Sequence, residues 1–102
     1  MKLFLLYDPY RGYDYIEEVV NILCDCGHSP MKADWCLPRY NVNQWSEINK
    51  EKIIMAVIEQ CDGVVVLDDY EETQSWIRWA KFLNLKIFTW KDVAQWEKEK
   101  EL

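Results

Sequence analysis

The stretch from Cys61 to Trp90 constrains this chain more than any other. It runs Cys61-Asp62-Gly63, then Val64-Val65-Val66-Leu67, then an acidic segment from Asp68 to Ser75. A helical pattern follows from Trp76 to Leu83, and a second apolar-rich run spans Asn84 to Trp90. The run Val64 to Leu67 is too short and too uniformly apolar for a surface helix. Bounded by Gly63 and an Asp pair, it suits a strand covered on both faces. Such a strand needs helices on both sides of its sheet, which means α/β architecture. Ligands of these sheets bind at the carboxyl ends of the strands. The segment Asp68–Ser75 leaves that end as a loop, so function is sought there first.

The remaining chain fits around this unit. Leu3 to Tyr7 reads as a first buried strand. Asp8-Pro9-Tyr10-Arg11-Gly12 reads as a turn, because Pro9 cannot continue a central strand and Gly12 permits positive φ. Asp14 caps a helix whose apolar face is Ile16, Val19, Val20 and Leu23, with Glu17 and Glu18 in the first turn. Gly27 stops that helix. Ser29 to Asp34 is a weak second strand, placed at the sheet edge by Pro30. Trp35 to Trp45 has no periodicity and reads as a loop rich in aromatics; loops of that length are often functional. Ser46 and Glu47 open a helix with Ile53, Ile54, Val57, Ile58 and Cys61 as its buried stripe. Its polar face is Lys50, Glu51, Lys52 and Glu59. Lys91 to Leu102 is a charged final helix anchored by Val93 and Trp96.

With right-handed crossovers, four strands form one parallel sheet in the order 2-1-3-4, a flavodoxin-like or Rossmann-like three-layer sandwich. Its switch point lies between the first and third strands, where the Asp8–Gly12 turn faces the Asp68–Ser75 loop. The 102 residues suit a single domain spanning 1–102. A net charge of -6 argues against nucleic-acid binding, which needs clustered cations. No apolar run approaches the roughly 18 residues of a membrane span. Met1 to Tyr7 is too short for a signal peptide, so a cytoplasmic protein is expected. Cys24 and Cys26 are two apart, no CxxC pair exists and His28 is the sole histidine; no metal site is expected and the thiols read as reduced. The first turn lacks the Ser/Thr/Gly-rich loop a flavin requires, and no cofactor is expected.

The motifs together resemble the nucleoside 2-deoxyribosyltransferase-like superfamily, particularly its small phage and bacterial DUF4406-type members. Asp8-Pro9-Tyr10-Arg11-Gly12 is similar to the Gly-Pro-Tyr-x-Gly turn after that family's first strand. Gly27-His28-Ser29-Pro30 matches its Gly-His-x-Pro element, and Cys61-Asp62 its Cys-Asp dipeptide before the third strand. Ala80 and Lys86-Ile87 fit its helix and following strand. The resemblance covers nearly the whole chain. It implies a nucleoside pocket at the switch point, and oligomers in which a neighbour completes that pocket. Two Trp on the Trp76–Trp79 helix would suit such an interface.

The departures bear on chemistry. The resemblance places a nucleophilic glutamate one turn before Ala80, where this chain has Trp76. Thr73, Gln74 and Ser75 stand where small residues are expected, and Asp8 replaces the first glycine. An indole cannot act as a carboxylate nucleophile. The expectation is therefore a non-catalytic protein that binds a nucleotide-derived small molecule, sequestering a metabolite or signal. Its site would comprise Tyr7, Asp8, Tyr10, Arg11, Gly12, Trp35, Asp68, Tyr70, Ser75 and Trp76. Aromatic rings would stack on a base and Arg11 would meet an anion. The alternative is an N-glycosidase or deoxyribosyltransferase acting on nucleosides or nucleotides, with Asp8, Asp68, Asp69, Glu71 or Glu72 as base or nucleophile, Asp69, Glu71 and Glu72 being the catalytic candidates. A protein-interaction module is the third reading.

Overall fold

β1 (Lys2–Leu6) and β3 (Gly63–Val66) lie side by side in parallel, with Leu5 opposite Val65. The computed structural model describes residues 1–7, 15–36 and 47–101. Around the central pair run α1 (Ile16–Asp25), β2 (Ser29–Met31), α2 (Ala33–Cys36), α3 (Glu47–Glu59), α4 (Glu71–Phe82), β4 (Lys86–Thr89) and α5 (Trp90–Glu101). The sheet is wholly parallel in the order β2-β1-β3-β4, as the sequence predicts.

Alternation along the strands divides the core into two layers. Leu3, Leu5 and Val65 point to one face, where Val19, Leu23 and Val93 of α1 and α5 cover them. Phe4, Leu6 and Val64 point to the other, against Ile58, Cys61 and Ala80. Both faces of the central strands are therefore dry, which is why their sequences are apolar without alternation. Among the described residues no helix is long and apolar enough to cross a membrane.

Two helices end in the same way. Gly27 has φ +85° after α1, with its N–H donating to the Cys24 carbonyl and the His28 N–H donating to Leu23. Asn84 has φ +57° after α4, with matching bonds from Asn84 to Lys81 and from Leu85 to Ala80. Both are Schellman closures, and Asn tolerates the left-handed conformation better than most side chains. The Gly27–Pro30 segment is thus the turn from α1 into β2. His28 rests on Trp96 at 4.9 Å, and burial together with the Met1 amino group lowers its pKa.

Several boundaries differ from the sequence reading. α4 starts at Glu71 rather than Trp76, so most of the expected acidic loop is helix. Glu71 and Glu72 occupy its first turn, where the macrodipole favours carboxylates. β2 stops at Met31 instead of reaching Asp34, and α2 takes up Trp35, which was expected in a loop. Pro30 removes one ladder donor from this edge strand. β4 is shorter than Asn84–Trp90, because Asn84 closes α4 and Trp90 opens α5. The N–H of Thr89 donates to Asp92 Oδ2 at 2.7 Å, the backbone half of a capping box.

Burial also departs from the stripes expected. Helical periodicity predicts Trp79, Ala80 and Leu83 as one stripe buried against the sheet; Ala80 is fully buried, but Trp79 and Leu83 are only half-buried, and Trp79 lines the groove between α3 and α4. On α3, Ile58 is buried while Ile53, Ile54 and Val57 are half-buried, and Lys50 is half-buried rather than exposed; Cys61, two residues past the helix, is buried. α1 begins behind Tyr15, which makes no side-chain cap; Asp14 and Ser46 lie outside the described residues. Among the described residues Cys24, Cys26 and Cys61 form no disulfide, and the Cys61 thiol donates to the Val57 carbonyl at 3.4 Å.

Gly63 lies opposite Lys86 of β4, with no room for a side chain. A Cβ there would sit 2.8 Å from the Lys86 carbonyl oxygen and 3.2 Å from the Phe88 ring. The first of these is backbone, which cannot swing away. Gly63→Ala is expected to lower stability by about 1–3 kcal/mol, the usual cost of overpacking. Urea denaturation checks this, and an unchanged midpoint would show that β4 can shift without loss.

Candidate functional site

The carboxyl ends of all four strands share one edge of the sheet, because the sheet is parallel. From β1 the chain continues towards α1 on one face; from β3 it continues into α4 on the other. A crevice opens where two successive strands depart to opposite faces. Tyr7 stands just past β1, and Leu67 just past β3, its N–H donating to the Leu6 carbonyl at 2.9 Å. The Tyr15 hydroxyl donates to the Leu67 carbonyl at 2.8 Å and so bridges the start of α1 to the end of β3. The Tyr15 ring is tilted against Trp90, 6.2 Å away, at the end of β4.

Asp68 organises the loop beyond Leu67. Its Oδ1 accepts the Tyr70 N–H at 3.2 Å and a short hydrogen bond from the Thr73 hydroxyl. Thr73 is buried in the first turn of α4. The carboxylate thus holds the loop against the helix start. Burial raises the pKa of Tyr15 first, and the charges of Asp68 and Tyr70 raise it further, which places all three groups in one electrostatic environment. Tyr7, Tyr15, Tyr70 and Trp90 give this edge several aromatic rings, with one fixed carboxylate among them.

The other predicted residues lie elsewhere. Trp35 is half exposed at the β2 end of the edge, with the Lys32 ammonium 5.0 Å above its ring. Ser75, Glu72 and Trp76 line a groove of about 550 Å³ between α3 and α4, together with Met55, Trp79 and Phe82. Trp76 packs on the Phe4 layer and lies four residues before the buried Ala80. Asp69 and Glu71 are exposed, and Glu71 contributes its carbonyl to the Ser75 hydroxyl. Asp8, Tyr10, Arg11 and Gly12 are outside the described residues.

Sequence reasoning missed Tyr15, Trp90 and Lys32. Trp90 had a usable signal, since it follows the last residue of a strand whose carboxyl end faces the site. Tyr15 had none, because its long reach to Leu67 depends on how α1 is placed. Lys32 is buried at the end of β2, its ammonium 2.7 Å from Glu17 Oε1. A cation after an edge strand reads as ordinary surface until that pairing is seen.

No family model matches the sequence, and no curated relative matches it. Solved structures do match the fold. The chain is similar to a CMP N-glycosidase, BcmB, of Clostridium botulinum, with a TM-score of 0.66 and 19% identity over 87% of this chain and 70% of that one. It is also similar to a 2-deoxyribosyltransferase from the psychrotolerant bacterium Bacillus psychrosaccharolyticus, with a TM-score of 0.66 and 18% identity over 87% of this chain and 71% of that one. At these identities the likeness establishes a shared fold, the deoxyribosyltransferase-like parallel α/β arrangement.

Proposed function

We propose that this chain binds a nucleotide-derived small molecule at the carboxyl edge of its sheet and does not cleave it. One observation carries this reading. At the edge, aromatic rings surround a fixed carboxylate, while the helix position one turn before Ala80 holds the indole of Trp76. Tyr7, Tyr15, Tyr70 and Trp90 supply stacking surfaces for a base. Asp68 supplies a hydrogen-bond acceptor for an amino or hydroxyl group. Arg11, five residues beyond β1 in the sequence, supplies the cation for a phosphate or carboxylate in this reading. The wall expected from Trp76 passes to Trp90 in this account, because Trp76 lines the α3–α4 groove.

The second reading is N-glycosidic cleavage, favoured by the likeness to a CMP N-glycosidase. Asp68 would then be the acid or base, and its acceptance of the Thr73 hydroxyl would have to be exchanged for substrate. Turnover separates the two readings. Under the binding proposal, nucleoside monophosphates bind and no free base is released over hours, as measured by chromatography. Trp90→Ala then weakens binding by about five- to a hundredfold, the range of one lost base–aromatic stack. Arg11→Ala weakens monophosphates more than the matching nucleosides. Released base would overturn the proposal in favour of the enzyme; equal affinity in Trp90→Ala would remove the site.

Tyr15 gives an independent check on the crevice. Tyr15→Phe keeps the ring but leaves the Leu67 carbonyl without its donor, a loss of about 0.5–1.5 kcal/mol at neutral pH. The folded-state pKa of Tyr15 lies above the ordinary value of 10.0. The native state therefore holds this proton more tightly than the unfolded state. That contribution is whole below pH 10 and is lost as pH rises through the folded pKa. The deficit of Tyr15→Phe against wild type should accordingly shrink above about pH 10. Paired thermal melts at pH 8 and pH 11 measure it, and a constant deficit would place the phenol outside the crevice network.

A further inference from the structure

We propose that Lys32 is an anion subsite of the carboxyl edge, held by the Glu17 carboxylate in the free protein and by the ligand's phosphate in the bound one. The proposal deepens the nucleotide reading of that edge and rests on it for the identity of the ligand. Lys32 directly follows β2, the strand beside β1, and so stands at the edge where the crevice opens. Only 9% of its surface is exposed, and no other lysine or arginine among the described residues is buried. A buried ammonium needs a counter-charge. Glu17 Oε1 supplies it at 2.7 Å.

The two partners of this pair are unlike. The Lys32 side chain is 11% exposed and that of Glu17 70%. The cation is therefore fixed by its surroundings, while the carboxylate reaches it from solvent and can swing away at little cost in packing. Trp35 also holds the ammonium, with Nζ 5.0 Å from the centre of its ring. That contact does not involve Glu17 and persists when the carboxylate leaves. Glu17 thus marks where an anionic oxygen fits against Nζ. The exchange selects the class of ligand. A neutral nucleoside cannot replace Glu17, because the swap would leave Lys32 buried without a counter-charge. A phosphate can, and it brings up to two negative charges where Glu17 brings one. The pair is indifferent to uncharged molecules and opens for phosphorylated ones.

Calorimetric titration of the full chain with ribonucleoside monophosphates and the matching nucleosides tests the exchange. Glu17→Gln removes the competing charge. The preference for monophosphate over nucleoside should rise by about two- to fivefold, the strength of an ion pair with one exposed partner. Lys32→Met should lower that preference by about tenfold or more, as for the loss of a charge-assisted hydrogen bond. An ion pair that merely ties α1 to β2 would give no gain in Glu17→Gln. A preference unchanged or lowered in that variant overturns the proposal and leaves the nucleotide reading standing. If Lys32→Met fails to fold, Glu17→Gln decides alone, since its side chain is exposed. If wild type binds neither class of ligand, the nucleotide reading fails and inorganic phosphate decides for Lys32. At constant ionic strength, the carbon NMR resonance of the Glu17 carboxyl group should then shift as phosphate releases it from Lys32. An unmoved resonance would overturn the subsite as well.

Discussion

The pairing of β1 with β3 is the constraint from which the rest of the structure follows. Residues Leu3 to Leu6 and Gly63 to Val65 are buried, so their backbone groups have no recourse to water and must find partners in neighbouring strands. β2 and β4 satisfy the outer edges of the pair. Side chains on two faces then require two helical layers, one from α1 and α5 and one from α3 and α4. The departure of the chain to opposite faces after these strands creates the crevice. The candidate site is thus a by-product of how the two most buried strands are connected, before any side chain is chosen for binding.

The central strands were legible because four consecutive aliphatics admit few solutions. Gly27 was legible as a stop and Pro30 as an edge marker, each for a single steric reason. The start of α4 was not legible. Asp68-Asp69-Tyr70-Glu71-Glu72 is as polar as a loop and as acidic as a first helical turn. The choice is made by the Asp68 carboxylate, which accepts Tyr70 N–H and the Thr73 hydroxyl and starts the helix five residues early. That bond joins residues whose spacing has meaning only once the helix exists. Trp79 failed for another reason. Periodicity says which residues share a face, but not how that face divides between a sheet and a neighbouring helix.

For the site, strand ends were predictable and side-chain destinations were not. Tyr7, Asp68 and Tyr70 follow from the rule that function gathers at carboxyl ends. Trp76 was placed by counting from Ala80, which gives its position on the helix, yet its ring belongs to the α3–α4 groove. A shared fold carries over the place where chemistry can occur. It does not carry over the chemistry, since an indole offers a surface where a carboxylate would offer an electron pair.

Trp90 occupies an unusual place in the backbone, with Thr89 the last residue of β4 and Trp90 itself the first of α5. No connecting residue lies between strand and helix, and the Thr89–Asp92 bond locks the junction. An aromatic carried on a loop must surrender backbone freedom when a ligand orders it, and that loss comes out of affinity. The Trp90 backbone has already surrendered that freedom during folding. For the ligand proposed above, its ring would be a standing template rather than a closing flap. Recognition at this edge would favour flat molecules that fit the ring as it stands, and would need no movement of the protein to admit them.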